Sequence, residues 1–157
     1  MAKANIPNLL GVHALVWVGN WSKEECRKAI SKSKEAGYDL IEIPALDPAS
    51  IDTEDTLKVL GEFNMKAACS LGLSFDADIN NEDAEIVARG EKKLFDALTV
   101  VERLNGNYLG GVLFSALGKY QGPPTTKARD NAVAVIGRLA KAAKERGILL
   151  GLDRKSV

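Results

Sequence analysis

Four times along this chain a helical pattern closes at Gly or Asn, and a short apolar run follows almost at once. The runs lie in "EAGYDLIEI" (35–43), "EFNMKAACSLG" (62–72), "NGNYLGGVLF" (105–114) and "ERGILLGLD" (145–153). Gly and Asn tolerate the left-handed conformation that ends a helix. Each run is too short and too evenly apolar for an amphipathic helix, and suits a strand covered on both faces. A first strand is predicted over about Leu10–Trp17.

The segments between carry the helical period. Ser22 with Glu25 three residues on forms a capping box, and Cys26, Ala29, Ile30 and Ser33 follow as a narrow stripe. Segment 52–63 repeats Leu57, Leu60 and Phe63, and segment 89–104 places Leu94, Leu98 and Val101 on one side. Segment 126–146 aligns Ala132, Ile136, Leu139, Ala140 and Ala143. The order is therefore β-α-β-α-β-α-β-α-β, which calls for a parallel sheet. Two α/β architectures accept it: an open doubly wound sheet, or part of a (β/α)8 barrel, which typically needs roughly 250 residues.

Composition narrows the class. The chain has 157 residues, the size of one domain, and its 46% apolar and 27% charged content is globular. Lys plus Arg and Asp plus Glu are 21 each, so no basic field exists to hold nucleic acid or anionic lipid. Cys26 and Cys69 form no CxxC pair and read as buried thiols in a reduced compartment. The amino terminus lacks a signal-peptide pattern and no stretch approaches a membrane span, so the expected location is cytoplasmic. Neither GxGxxG nor GxxxxGK[ST] is present, nor HExxH, GxSxG or a Cys/His cluster. The single histidine, His13, lies among apolar neighbours and reads alone as a core or pocket-lining residue. The acidic loop Asp76, Asp78, Asn80, Asn81 lacks EF-hand spacing and reads as solvated.

The stretches at the strand ends are more specific: "GVHALVWVGNW" (11–21), "GYDLIEIPALDP" (37–48), "KAACSLGLSFDADI" (66–79), "GVLFSALGKYQGPP" (111–124) and "GILLGLD" (147–153). In this order they resemble the ketose 3-epimerases, the D-tagatose and D-psicose (D-allulose) 3-epimerases of the xylose-isomerase-like superfamily. The resemblance runs from about Gly11 to Asp153 and covers only the amino-terminal half of the family's barrel. It implies a partial (β/α)8 TIM barrel of about four and a half βα units, with residues 1–157 as one truncated domain.

The resemblance also implies chemistry. A divalent cation, Mn2+ or Mg2+, would sit at the carboxyl ends of the strands and hold a free ketose. Two acids would exchange the C3 proton through an enediolate, because a cation beside the carbonyl acidifies that C–H. Carried over by position, Asp153 stands where the fifth strand supplies a catalytic, metal-binding glutamate, one methylene longer. His13 matches an aromatic pocket wall, and Trp21 a tryptophan beside the sugar ring or simply a packing residue. Glu42 would support the site by hydrogen bonding or face solvent. Ser70 and Ala116 match small residues near substrate, which also suit strand packing. The remaining family ligands, an Asp, a His and a Glu from later strands, have no counterpart here, and one carboxylate holds a hard cation poorly.

Two functions are therefore expected. One is an isomerase-family half site, inactive or weakly active alone and completed by another copy or chain. The other is a non-catalytic sugar-binding or protein-interaction module. Unpaired strand edges predict a homodimer or larger assembly.

Overall fold

The computed structural model describes residues 8–154. The reading of the amino-terminal leader falls on residues 1–7, outside those described. The described residues form one parallel sheet of five strands: β1 (Gly11–His13), β2 (Leu40–Pro44), β3 (Lys66–Leu73), β4 (Tyr108–Ala116) and β5 (Leu149–Leu152). Between them run α1 (Lys23–Glu35), α2 (Thr53–Glu62), α3 (Ala84–Arg103) and α4 (Thr126–Glu145).

Strand order decides between the two architectures. Each strand pairs with its neighbour in sequence, in the order β1-β2-β3-β4-β5. A doubly wound sheet reverses its order at a switch point, and this sheet does not. Consecutive helices also pack against one another, as a continuous layer requires. Ile41 and Ile43 of β2 and Cys69, Leu71 and Leu73 of β3 are buried, together with Ile30, Leu94, Leu98 and Leu139 of the helices. The alternating residues Leu40, Glu42, Pro44, Ala68, Ser70 and Gly72 remain part-exposed. The fold is half of a TIM-type barrel, with its inner face open. Among the described residues, the expectation of strands covered on both faces is met only toward the helices.

Local sequence explains most boundaries. Ser22 Oγ accepts the amide of Glu25 at 3.4 Å, while the amide of Ser22 donates to Asn20 Oδ1 at 2.9 Å. Half of the expected capping box forms, and Asn20 takes the place of Glu25 in the other half. Asp52, Asp83 and Thr125 cap the remaining helices by the same chemistry.

Two expected boundaries move. β1 stops at His13, since His13 Nδ1 accepts the Leu15 amide at 3.2 Å and starts a 3-10 turn over Ala14–Val16. α3 begins at Ala84 rather than residue 89 because Asp83 caps it. Gly90 lies inside α3. A Cβ there would come within 2.5 Å of the Ala77 carbonyl oxygen, so the glycine lets the helix close on the preceding loop.

β4 holds the sharpest backbone feature. Gly111 has φ of +115°, and a Cβ there would meet the Leu71 carbonyl oxygen at 2.2 Å. The β3–β4 register then jumps from Gly72↔Val112 to Leu73↔Ala116. This irregularity carries the end of β4 onto the rim of the sheet. No described helix is long and apolar enough to cross a membrane.

Candidate active site

In a parallel α/β sheet the carboxyl ends of the strands present loops and helix N-termini, where ligands are bound. The structure brings together three of the residues expected there. His13 is paired in register with Glu42 on β2, and its Nε2 lies 3.7 Å from Glu42 Oε1. Ser70 Oγ, reaching from β3, is 3.3 Å from the same Nε2.

The geometry fixes what this trio can do. Because His13 Nδ1 accepts the Leu15 N–H, the neutral ring carries its proton on Nε2. That proton is directed at Ser70 and Glu42, so His13 acts as a hydrogen-bond donor on the open face. A hydrolytic triad needs serine and acid on opposite ring nitrogens, and here both address one. A metal needs a bare Nε2, which this tautomer denies it.

The other expected residues stand apart. Ala116 is buried at the end of β4, three register steps along β3 from Ser70. Trp21 packs against the core, and its indole N–H donates to Thr56 Oγ1 of α2 at 3.1 Å. Its polar edge is spent on anchoring the β1–α1 loop. Asp153 follows β5, two strands from Ser70, and its amide donates to Gly111 O at 2.9 Å. Asp153 is exposed. Among the described residues no group of three or more His, Cys, Asp or Glu side chains gathers to hold a metal ion. The donor set of the described residues therefore does not by itself fit a hard divalent cation, which wants about six ligands.

Both thiols are buried and free. Burial, and secondarily the charge of Glu42, pushes Cys69 up to about 12, and burial raises Cys26 as well. Neither is a nucleophile near neutral pH.

The acidic loop corrects the sequence reading. Asp78 is not solvated: it is 1% exposed and accepts from Asn80 N at 2.9 Å, Ala116 N at 3.1 Å and the Tyr120 hydroxyl at 2.5 Å. Burial first, and then the bond to Asp78, pushes the Tyr120 phenol up to about 12. The Asp-x-Asn spacing was the available signal, because Asp commonly accepts the amide two residues on. Its long-range partners had none.

A separate hollow lies elsewhere on the sheet. A trough of about 590 Å3 is lined by Leu40, Glu42, Ala68 and Tyr108 on the sheet and by Leu60 and Leu104 beyond its amino-terminal edge. It shares only Glu42 with the trio.

Comparison with known proteins gives this geometry its kinship. An L-ribulose 3-epimerase from Methylomonas sp. (strain DH-1) is 47% identical over 143 residues, which is 91% of this chain and 50% of that protein. A ketose 3-epimerase from Arthrobacter globiformis is 38% identical over 92% of this chain and 50% of its own length. The chain is homologous to the ketose 3-epimerases. It spans about half the length of these curated relatives, consistent with the family's amino-terminal half. The crystal structure of D-allulose 3-epimerase from Methylomonas sp. in complex with D-allulose superposes with a TM-score of 0.89 at 47% identity, covering 93% of this chain and 51% of that one. No protein-family profile matches the chain.

Proposed function

We propose that residues 1–157 act as one truncated-barrel domain, the amino-terminal half of a metal-dependent ketose 3-epimerase site. This half binds a ketose weakly and does not turn it over alone. Asp153 contributes one carboxylate to the cation and to proton exchange at C3. Ser70 donates a hydrogen bond to a sugar oxygen while the His13 Nε2–H holds its hydroxyl in place, Glu42 orients His13, and Trp21 and Ala116 border the sugar. Mn2+ or Mg2+ would polarise the ketose carbonyl once the remaining ligands are supplied.

One observation carries the reading: a sheet that superposes on half of an epimerase bears the polar trio on its first three strands and the Asp153 carboxylate just past its fifth. A sugar-binding module without turnover is the second reading, favoured by an intact trio in a chain whose own donor set does not fit the cation.

The reading extends to assembly and place. Among the described residues β1 and β5 each pair on one side only, and both ends of the sheet carry exposed leucines. Leu9 and Leu10 flank β1, while Leu149 and Leu152 on β5 are 67% and 51% exposed. Such edges seek a partner, so the protein forms a homodimer or larger assembly. Two buried free thiols suit the cytoplasm.

The test incubates the purified chain with D-fructose, D-allulose and D-tagatose, with and without Mn2+, and records its solution mass. Thermal stabilisation by sugar without turnover, in a dimer or larger species, is expected. Metal-dependent turnover by a monodisperse monomer would overturn the reading.

A further inference from the structure

Asp78 is the one acidic side chain among the buried polar and charged residues described, and nothing in the proposed chemistry uses it. A buried carboxylate costs several kcal/mol unless its oxygens are well paired. Asp78 meets that cost with donors from separate places: Asn80 on its own loop, Ala116 at the end of β4, and Tyr120 in the loop after β4. The Tyr120 oxygen in turn accepts the Ala116 amide at 2.9 Å. Tyr120 also sets its ring edge-on to Phe75, with centroids 5.2 Å apart and planes at 70°.

The loops joined this way form the rim at the carboxyl end of the sheet. Residues 121–125 are all exposed, whereas Tyr120 is half-buried and points back to Asp78. The loop bearing Asp78 is itself fixed: Arg89 Nε donates to Asp76 O at 2.8 Å, and Asn131 Nδ2 of α4 donates to Asn81 O at 2.8 Å. At the other end, the Leu117 amide donates to Leu73 O at 2.7 Å. The rim presents Phe75 and Leu117, both exposed, beside Ala116.

We infer that Asp78 and Tyr120 are positioning residues: their bond latches the β4–α4 loop to the β3–α3 loop and so sets the wall of the sugar site at Ala116 and Leu117. The latch touches no sugar itself. It rests on the ketose reading for its ligand, but not for its geometry.

The test uses the full 157-residue chain. Tyr120→Phe keeps the ring on Phe75 and removes only the hydroxyl, and Asp78→Asn weakens the same bond from the other side. Segment-resolved hydrogen exchange is expected to speed at least tenfold over residues 116–122 in both variants, with β2 and β3 keeping their protection. Unchanged exchange there, or acceleration spread evenly over the chain, overturns the latch. Titration with D-allulose, followed by indole fluorescence, then reads the wall, and the dissociation constant of Tyr120→Phe is expected to rise at least fivefold. Equal affinity despite a loosened loop overturns the positioning role. Absence of any D-allulose signal in the unsubstituted chain counts against the sugar reading instead, and exchange alone then decides the latch.

Discussion

The amide of Asp153 donates to the carbonyl of Gly111 at 2.9 Å, one step beyond the Gly111↔Leu152 pair that ends the β4–β5 ladder. The backbone of the candidate catalytic acid is therefore held by the residue that bends β4. Its reach is set by its side chain alone, and Asp is one methylene shorter than the glutamate the resemblance implies. Misplacing a reacting group by about 1 Å can cost about 10²-fold in rate. Paired with a relative's carboxyl-terminal barrel half, Asp153→Glu is expected to raise kcat/KM by roughly tenfold or more, and Asp153→Ala to abolish turnover. Initial rates with D-allulose check both, and a rate lowered by Asp153→Glu would contradict the assignment.

The His13 tautomer is open to direct observation. Because Nδ1 accepts the Leu15 amide, nitrogen-15 spectra of the imidazole should show a protonated Nε2 and a bare Nδ1 in the neutral ring. The reverse pattern would remove the donor that holds the Ser70 hydroxyl. His13→Ala should weaken D-allulose binding by about 1 kcal/mol, the typical net worth of one hydrogen bond.

Gly111 tests the bend itself. Its positive φ and the 2.2 Å approach to Leu71 O leave no room for a side chain. Gly111→Ala should cost roughly 2–4 kcal/mol in stability, combining backbone strain with overpacking. Urea unfolding measures this, and a cost under about 0.5 kcal/mol would mean that β4 passes β3 differently.

Stability should fall at alkaline pH for two separable reasons. The fold holds the protons of Cys69 and Tyr120 up to about 12, against ordinary values of 9.0 and 10.0. A group held protonated more tightly in the folded state stabilises fully below its unfolded pKa and loses that contribution as pH rises through the folded one. The decline should therefore begin near pH 9 with the two buried thiols, Cys69 and Cys26, and steepen above pH 10 with Tyr120. Cys69→Ala should reduce the first part and Tyr120→Phe the second, as read from melting temperature against pH.

Much of the fold was legible because local signals agreed. Gly37, Asn64, Asn105 and Gly147 all adopt positive φ between a helix and the following strand, as the repeating cadence required. The choice between open sheet and barrel was not legible, because strand order is a long-range property that periodicity does not encode. β1 was overestimated because apolar residues through Trp17 conceal a turn begun by the ring of His13. At the site, nothing local announced that His13, Glu42 and Ser70 converge from three strands. Asp78 was misread for a similar reason: its loop is polar, but the donors that justify burying it come from Ala116 and Tyr120.

The most direct measurement is complementation. The chain is mixed with the carboxyl-terminal half of the Methylomonas L-ribulose 3-epimerase, and C3 epimerisation of D-allulose is followed with and without Mn2+. Turnover should require both halves and the cation, and should vanish with Asp153→Ala. No turnover from the assembled pair, or full activity in this chain alone, would contradict a half site completed from outside.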